Sequence, residues 1–137
     1  MLPKRYRLRR RPDVQRVRRQ GRRWRHPLAI LLLLPAEQKM NQMNEAAGLD
    51  RRPLSRFAIS ASRRVGHAVS RNRAKRLLRT AVHSNLAEIE PGWDCLLIAR
   101  QETPHASYDE VERAVMQLLS RARVLIRSPR SDGSGGV

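Results

Sequence analysis

The residues best equipped to do chemistry lie in one segment, Arg63 to Arg79, which reads RRVGHAVSRNRAKRLLR. Wound as a helix at roughly 100° per residue, Ala74, Leu77, Leu78 and Ala81 fall on one side, while Asn72, Lys75, Arg76, Arg79 and His83 fall on the other. One side is fit for burial and the other is cationic. A charged face that merely meets solvent usually intersperses acids for i,i+4 pairing, yet no Asp or Glu occurs between Arg56 and Ala87. Like charges repel along a helix, so this face is expected to meet an anion. Phosphate fits, because the planar fork of arginine binds it bidentately. Gly66 lets the chain enter the helix through a conformation other residues resist, and the helix start adds exposed N–H groups suited to phosphate; a plain turn glycine reads the same way. Asn72, the neutral polar residue on the cationic face, is suited either to a sugar hydroxyl or base edge or to solvent.

No comparable set of residues suggests bond-breaking by the protein itself. Acids are scarce and scattered, and His26, His67, His83 and His105 have neither metal-ligand spacing nor an evident carboxylate partner. The single cysteine, Cys95, lies in an apolar run, which makes it an expected inert core thiol and excludes an internal disulfide or a Cys-rich metal site.

Composition points the same way. The 137 residues carry 29 Lys plus Arg against 12 Asp plus Glu, a formal charge of +17, and nearly all the positive charge is arginine. A polyanion is the natural counterpart, and nucleic acid is favoured over an acidic protein. At 4% aromatic residues, stacking is not expected to be the main binding device. The N-terminus has no apolar stretch after its positive charges, and the run from Leu28 to Leu34 is too short to span a bilayer, so a cytoplasmic protein is expected. Anionic lipid is the weaker counterpart, because packing against a sheet explains the apolar faces better.

The elements that must position these residues can be read from pattern. Pro3 to Arg25 is Arg-dense and holds a short helix, with Pro12 in its first turn, Val14 and Val17 on one side, and Gly21 to end it. Leu28 to Leu34 reads as a buried strand closed by Pro35. Residues 36–53 read as a long loop. In Arg56 to Ser62, Phe57, Ile59 and Ala61 alternate with Arg56, Ala58, Ser60 and Ser62, a half-buried strand that gives the sheet one packed face. A helix is expected from about Ala68 to Leu86, then a turn at Pro91 and Gly92, then a buried strand from Trp93 to Arg100. Ser107 with Glu110 is a capping-box pattern that opens a last helix, whose stripe is Val111, Ala114, Val115, Leu118, Ala122 and Leu125. The tail 127–137 has a disordered composition. The order helix, strand, strand, helix, strand, helix makes one α+β domain, residues 1–126, as a two-layer sandwich of one sheet with packing helices.

The central segment resembles the signature of the bacterial ribonuclease P protein, KxxGxAVxRNxxKR, in Gly66, Ala68, Val69, Arg71, Asn72, Lys75 and Arg76, with arginine in place of the first lysine. RLRRRPDVQRVRRQGRRW is similar to that family's first helix and turn, RFAISASRR to its second strand and GWDCLLIAR to its third. The resemblance implies a sandwich with a left-handed strand, helix, strand crossover, against the usual right-handed rule. It implies an activity as well: metal-dependent endonucleolytic removal of the 5′ leader of precursor tRNA, with Mg²⁺ held chiefly by an RNA partner that carries the catalytic site. For this chain it implies contact with that RNA through Arg63, Arg64, Gly66, Arg71, Asn72, Arg73, Lys75, Arg76 and Arg79. It implies leader contact through Arg16, Arg22, Trp24, Phe57, Ser60 and Ser62, Trp24 being equally readable as a core aromatic. Family members tend to carry aromatic residues where Val14 and Arg18 stand, so arginine and Trp24 would take over from stacking there. The alternatives are a ribosomal or other structural RNA-binding protein, which matches charge and size equally well, and a self-sufficient basic nuclease.

Overall fold

The computed structural model describes residues 2–36 and 53–126. The loop expected at 36–53, apart from its two end residues, and the tail expected at 127–137 lie outside the described residues. The elements in order are α1 (Arg11–Gln20), β1 (Arg22–His26), β2 (Ala29–Pro35), β3 (Arg56–Ser60), α2 (Ala68–Ser84), β4 (Trp93–Ala99) and α3 (Tyr108–Arg121). Short 3-10 turns occupy Lys4–Tyr6, Arg63–Val65, Leu86–Glu88 and Thr103–His105.

Local chemistry sets most of these boundaries. In α1, Pro12 sits in the first turn, and the Gly21 N–H donates to the Val17 carbonyl at 2.8 Å to end the helix. A Cβ on Gly21 would stand 2.5 Å from that same oxygen, so glycine is required by close approach. In α3 both halves of the capping box form: the Glu110 N–H donates to Ser107 Oγ at 3.2 Å, and the Ser107 N–H donates to Glu110 Oε1 at 2.9 Å. The helix stops at Arg121, and Arg123 takes a positive φ of 61°. Ala122 and Leu125 of the expected stripe therefore lie past the helix, Leu125 in a bridge with Ile89, whereas Leu119, outside that stripe, is fully buried.

One strand is an addition to the sequence reading. Arg22–His26, expected only as the end of an Arg-dense stretch, pairs with β2 from Arg22↔Leu33 to His26↔Ala29. Pro27 and Leu28 form the two-residue turn, where the Leu28 N–H donates to His26 Nδ1 at 3.0 Å, so β2 starts at Ala29. The residue types do not announce this strand, because Arg22, Arg23 and Arg25 are exposed and Trp24 is its one large apolar residue, so no apolar alternation is written in the sequence.

The sheet runs β1-β2-β4-β3, antiparallel except for the parallel β3/β4 pair, whose connection passes through α2. Its larger apolar face combines Leu31, Leu33, Phe57, Cys95 and Leu97 with Ala74, Leu78, Ala81 and Val82 of α2 and with Val111, Val115, Leu118 and Leu119 of α3. This is the α+β sandwich expected. The opposite sheet face is also apolar, through Ile30, Leu32, Ala58, Leu96 and Ile98, and α1 covers part of it with Val14 and Val17. Full burial of a Val or Leu side chain is worth roughly 1.5–3 kcal/mol. The helices α2 and α3, with nine buried apolar side chains between them, are thus anchored by burial, while α1, whose only buried residue is Val17, is anchored far less by it.

Candidate nucleic-acid interface

The approach to α2 is set by Gly66, which takes φ 140° and ψ −159°, a region that resists L side chains. Ser62 Oγ accepts the Arg64 N–H at 3.3 Å and opens the 3-10 turn that leads into it. Within α2 the core positions Ala74, Leu78, Ala81 and Val82 point into the sandwich. Asn72, Arg76 and Arg79, at i, i+4 and i+7, share a second face. Arg71 lies on another side with Arg63, Gly66, His67 and Ala68, lining a notch of about 380 Å³. Arg73 is exposed but tied down, its Nε donating to the Pro104 carbonyl at 2.7 Å. Among the described residues, none of Arg63, Arg64, Arg71, Arg73, Lys75, Arg76 and Arg79 forms an ion pair with a carboxylate. The Nε of Arg71, shielded from solvent, makes no hydrogen bond among them either.

Asn72, Arg76 and Arg79 do not face open surface alone. They form one wall of a cleft of about 850 Å³ whose opposite wall is Val14 and Arg18 of α1 and whose floor includes Ala58, Ser60 and Leu96. Arg7, Leu8 and Arg9 close its side, held there because the Leu8 N–H donates to the Phe57 carbonyl at 2.9 Å. The two RNA surfaces implied by the resemblance therefore abut. The contribution of residues 7–9 escaped the sequence reading; its one signal was Leu8, an isolated apolar residue in an arginine run, which is buried at 3% exposure.

The expected leader residues divide by place. Ser60 lines this cleft. Phe57 lines it too but is 2% exposed, its ring packed in the larger core. Arg16 faces inward to Asp94, with Nη2 2.8 Å from Oδ2. Arg22 and Trp24 pair in register with Leu33 and Leu31, whose side chains belong to the opposite sheet face, so neither reaches the α1 cleft. Trp24 packs half-buried on the main core, with the Arg22 guanidinium 5.4 Å from its ring centroid, a cation–π arrangement. Ser62 lies in a separate cleft, lined also by Arg25, Ile30, Arg64, Ile98 and Arg100. Val14 and Arg18, set aside for lacking aromatic character, are the α1 residues that do reach the main cleft.

Asp94 ties the walls together. It is fully buried on the α1 side of the sheet and accepts from Arg16 at Oδ2 (2.8 Å) and from Arg56 at Oδ1 and Oδ2 (both 3.2 Å). Arg56 also lies 3.9 Å from Asp13 of α1. Among the described residues no three His, Cys, Asp or Glu side chains converge on a point, so that part of the chain offers no all-protein cage for a divalent ion. No helix in the described part is long and apolar enough to cross a membrane.

Comparison with known proteins shows the family of the chain. The sequence profile of the Ribonuclease P family matches residues 2–123. A ribonuclease P protein component from Cyanothece sp. is 35% identical over 128 residues, covering 91% of this chain and 98% of its own length. One from Roseiflexus sp. is 36% identical over 132 residues, covering 96% and 97%. Among solved structures, the RNase P protein of Staphylococcus aureus superposes with a TM-score of 0.69 at 23% identity, over 87% of this chain and 96% of that one. That of Thermotoga maritima does so with a TM-score of 0.66 at 25% identity, over 84% and 96%. With the profile spanning nearly the whole described fold, the chain belongs to the ribonuclease P protein family.

Proposed function

We propose that this chain is the protein subunit of a cytoplasmic ribonuclease P, grips the catalytic RNA through the basic faces of α2, and holds the single-stranded 5′ leader of precursor tRNA in the cleft between α1, β3 and α2. The RNA carries the bond-breaking site and chiefly holds the Mg²⁺ that hydrolysis uses; the protein neutralises phosphate charge and fixes the leader in place, which lowers the entropy cost of reaching the reactive geometry. The observation that carries this reading is the run of α2 cations free of carboxylate partners among the described residues, next to a cleft lined by Arg7, Arg9, Arg18, Arg76 and Arg79. Arg71, Arg63 and the N–H groups at the start of α2 suit a structured RNA backbone at the notch. Ser60 and Asn72 add neutral donors and acceptors beside the cleft arginines, the chemistry needed for ribose and base edges.

Reconstitution tests the reading. Added to a bacterial ribonuclease P RNA, the purified chain should lower the magnesium concentration at which that RNA cleaves precursor tRNA at the mature 5′ end. No change in the magnesium requirement would favour a structural RNA-binding role, and cleavage by the chain unaided would favour a protein nuclease.

A further inference from the structure

We infer that Asp94, although it cannot touch RNA, is a positioning residue for the leader: through Arg16 and Arg56 it clamps α1 across the sheet and sets the width of the cleft. The inference rests on the leader reading given above. Its ground is an imbalance in how α1 is held. The helix RPDVQRVRRQ has only two apolar residues, Val14 and Val17, and only Val17 is buried. Apolar contact is non-directional, and so small a patch leaves the helix free to slide or rotate on the sheet. The directional contacts come instead from Asp94. Its Oδ2 accepts from Arg16 of α1, while both of its oxygens accept the Nε and Nη2 fork of Arg56 on β3. Arg56 in turn faces Asp13, one turn before Val17, so both ends of the link return to α1. Bidentate charge-assisted bonds fix direction as well as distance. Val14 and Arg18, which form one wall of the cleft, flank Arg16 on the same helix, and Ala58 and Ser60, which form the floor, follow Arg56 on the same strand.

The sign of the effect separates positioning from plain electrostatics. Removing a carboxylate from a protein that binds a polyanion should tighten binding if only charge counts. The clamp predicts the reverse. In the holoenzyme reconstituted with ribonuclease P RNA, Asp94→Asn is expected to weaken binding of precursor tRNA with a long leader about tenfold, the worth of one charge-assisted contact. Affinity for a precursor with a single-nucleotide leader, and for the RNA subunit itself, should stay within about twofold, a change too small for a lost contact. Unchanged or tighter binding of the long-leader precursor by a variant with wild-type far-UV circular dichroism would overturn the clamp. Arg56→Lys serves where Asp94→Asn fails to fold: it keeps the net charge but cannot fork onto Asp94, so it should show the same leader-specific loss, and full retention of leader affinity would overturn the proposal. If the wild-type holoenzyme does not distinguish the two precursors, the leader reading itself falls and the clamp with it; discrimination by wild type that the variants retain removes the clamp alone.

Discussion

Cys95 and Glu110 show how far single residues obey their surroundings. Burial pushes the Cys95 thiol far up, with Asp94 next to it in sequence adding to the effect, and the residue is fully enclosed between Leu33 of β2 and Phe57 of β3 in the register. Since the thiolate is the nucleophile, Cys95 should resist iodoacetamide at pH 8 in the native protein and react at the rate of a free thiol in denaturant; fast labelling of the native state would contradict its placement. Glu110 is the opposite case. Hydrogen bonds from Ser107, backbone first and side chain second, hold its carboxyl below the ordinary value of 4.5. A lowered folded-state pKa means that the ionised form contributes stability above the unfolded value, and that this is lost as pH falls through the folded one. Glu110→Gln, which keeps a capping acceptor but no charge, should therefore melt below wild type at neutral pH, with the gap closing as pH falls below the ordinary carboxylate range. A gap that persists in acid would mean the charge is irrelevant.

At the scale of elements, legibility followed periodicity. Helix α2 and the strand around Phe57 were readable because their apolar residues recur at 3.6 or 2 residues, the strands around Leu31 and Leu96 because each is a short continuous apolar run, and α3 because its capping box is a local signal independent of tertiary context. Strand β1 was not, since Arg22, Arg23 and Arg25 leave it no apolar alternation, and neither was the packing of Leu8 on β3, which is a long-range backbone pairing. The site suffered from the same blind spot. Which face of the sheet Trp24 and Arg22 occupy depends on the register of a hairpin, and a one-residue change of register would have turned them to the sheet face that carries α1. Arg16, likewise, counts as one more cation until the fold sets Asp94 beside it. The double variant Arg71→Ala with Arg76→Ala belongs at this scale. It removes cations from two sides of α2 and leaves Ala74, Leu78, Ala81 and Val82 in place. Affinity for the ribonuclease P RNA in a filter-binding assay should fall, while the melting temperature stays within a few degrees of wild type, because Arg76 is exposed and Arg71, half-buried, holds no ion pair among the described residues, and substitutions outside the core change stability by about 0.5 kcal/mol or less. Unchanged RNA affinity would remove α2 from the interface.

For the molecule as a whole, a charge of +17 guarantees attraction to any polyanion, so affinity alone cannot separate a shaped site from a sticky surface. Salt dependence can. Five arginines line the main cleft: Arg7, Arg9, Arg18, Arg76 and Arg79. If each neutralises one phosphate of a single-stranded leader, the logarithm of affinity should fall against the logarithm of salt concentration with a slope near −3.5, at about −0.7 per contact. The relevant quantity is the difference in slope between precursors with long and single-nucleotide leaders, since contacts to the tRNA body and the RNA subunit cancel in it. Arg18→Ala should then reduce that difference by about 0.7, one contact's share. Loss of an arginine outside the cleft, such as Arg19, removes the same charge but should leave the difference unaltered. A surface that acts only through its net charge would respond equally to both substitutions, and that outcome would deny the cleft any role beyond attraction.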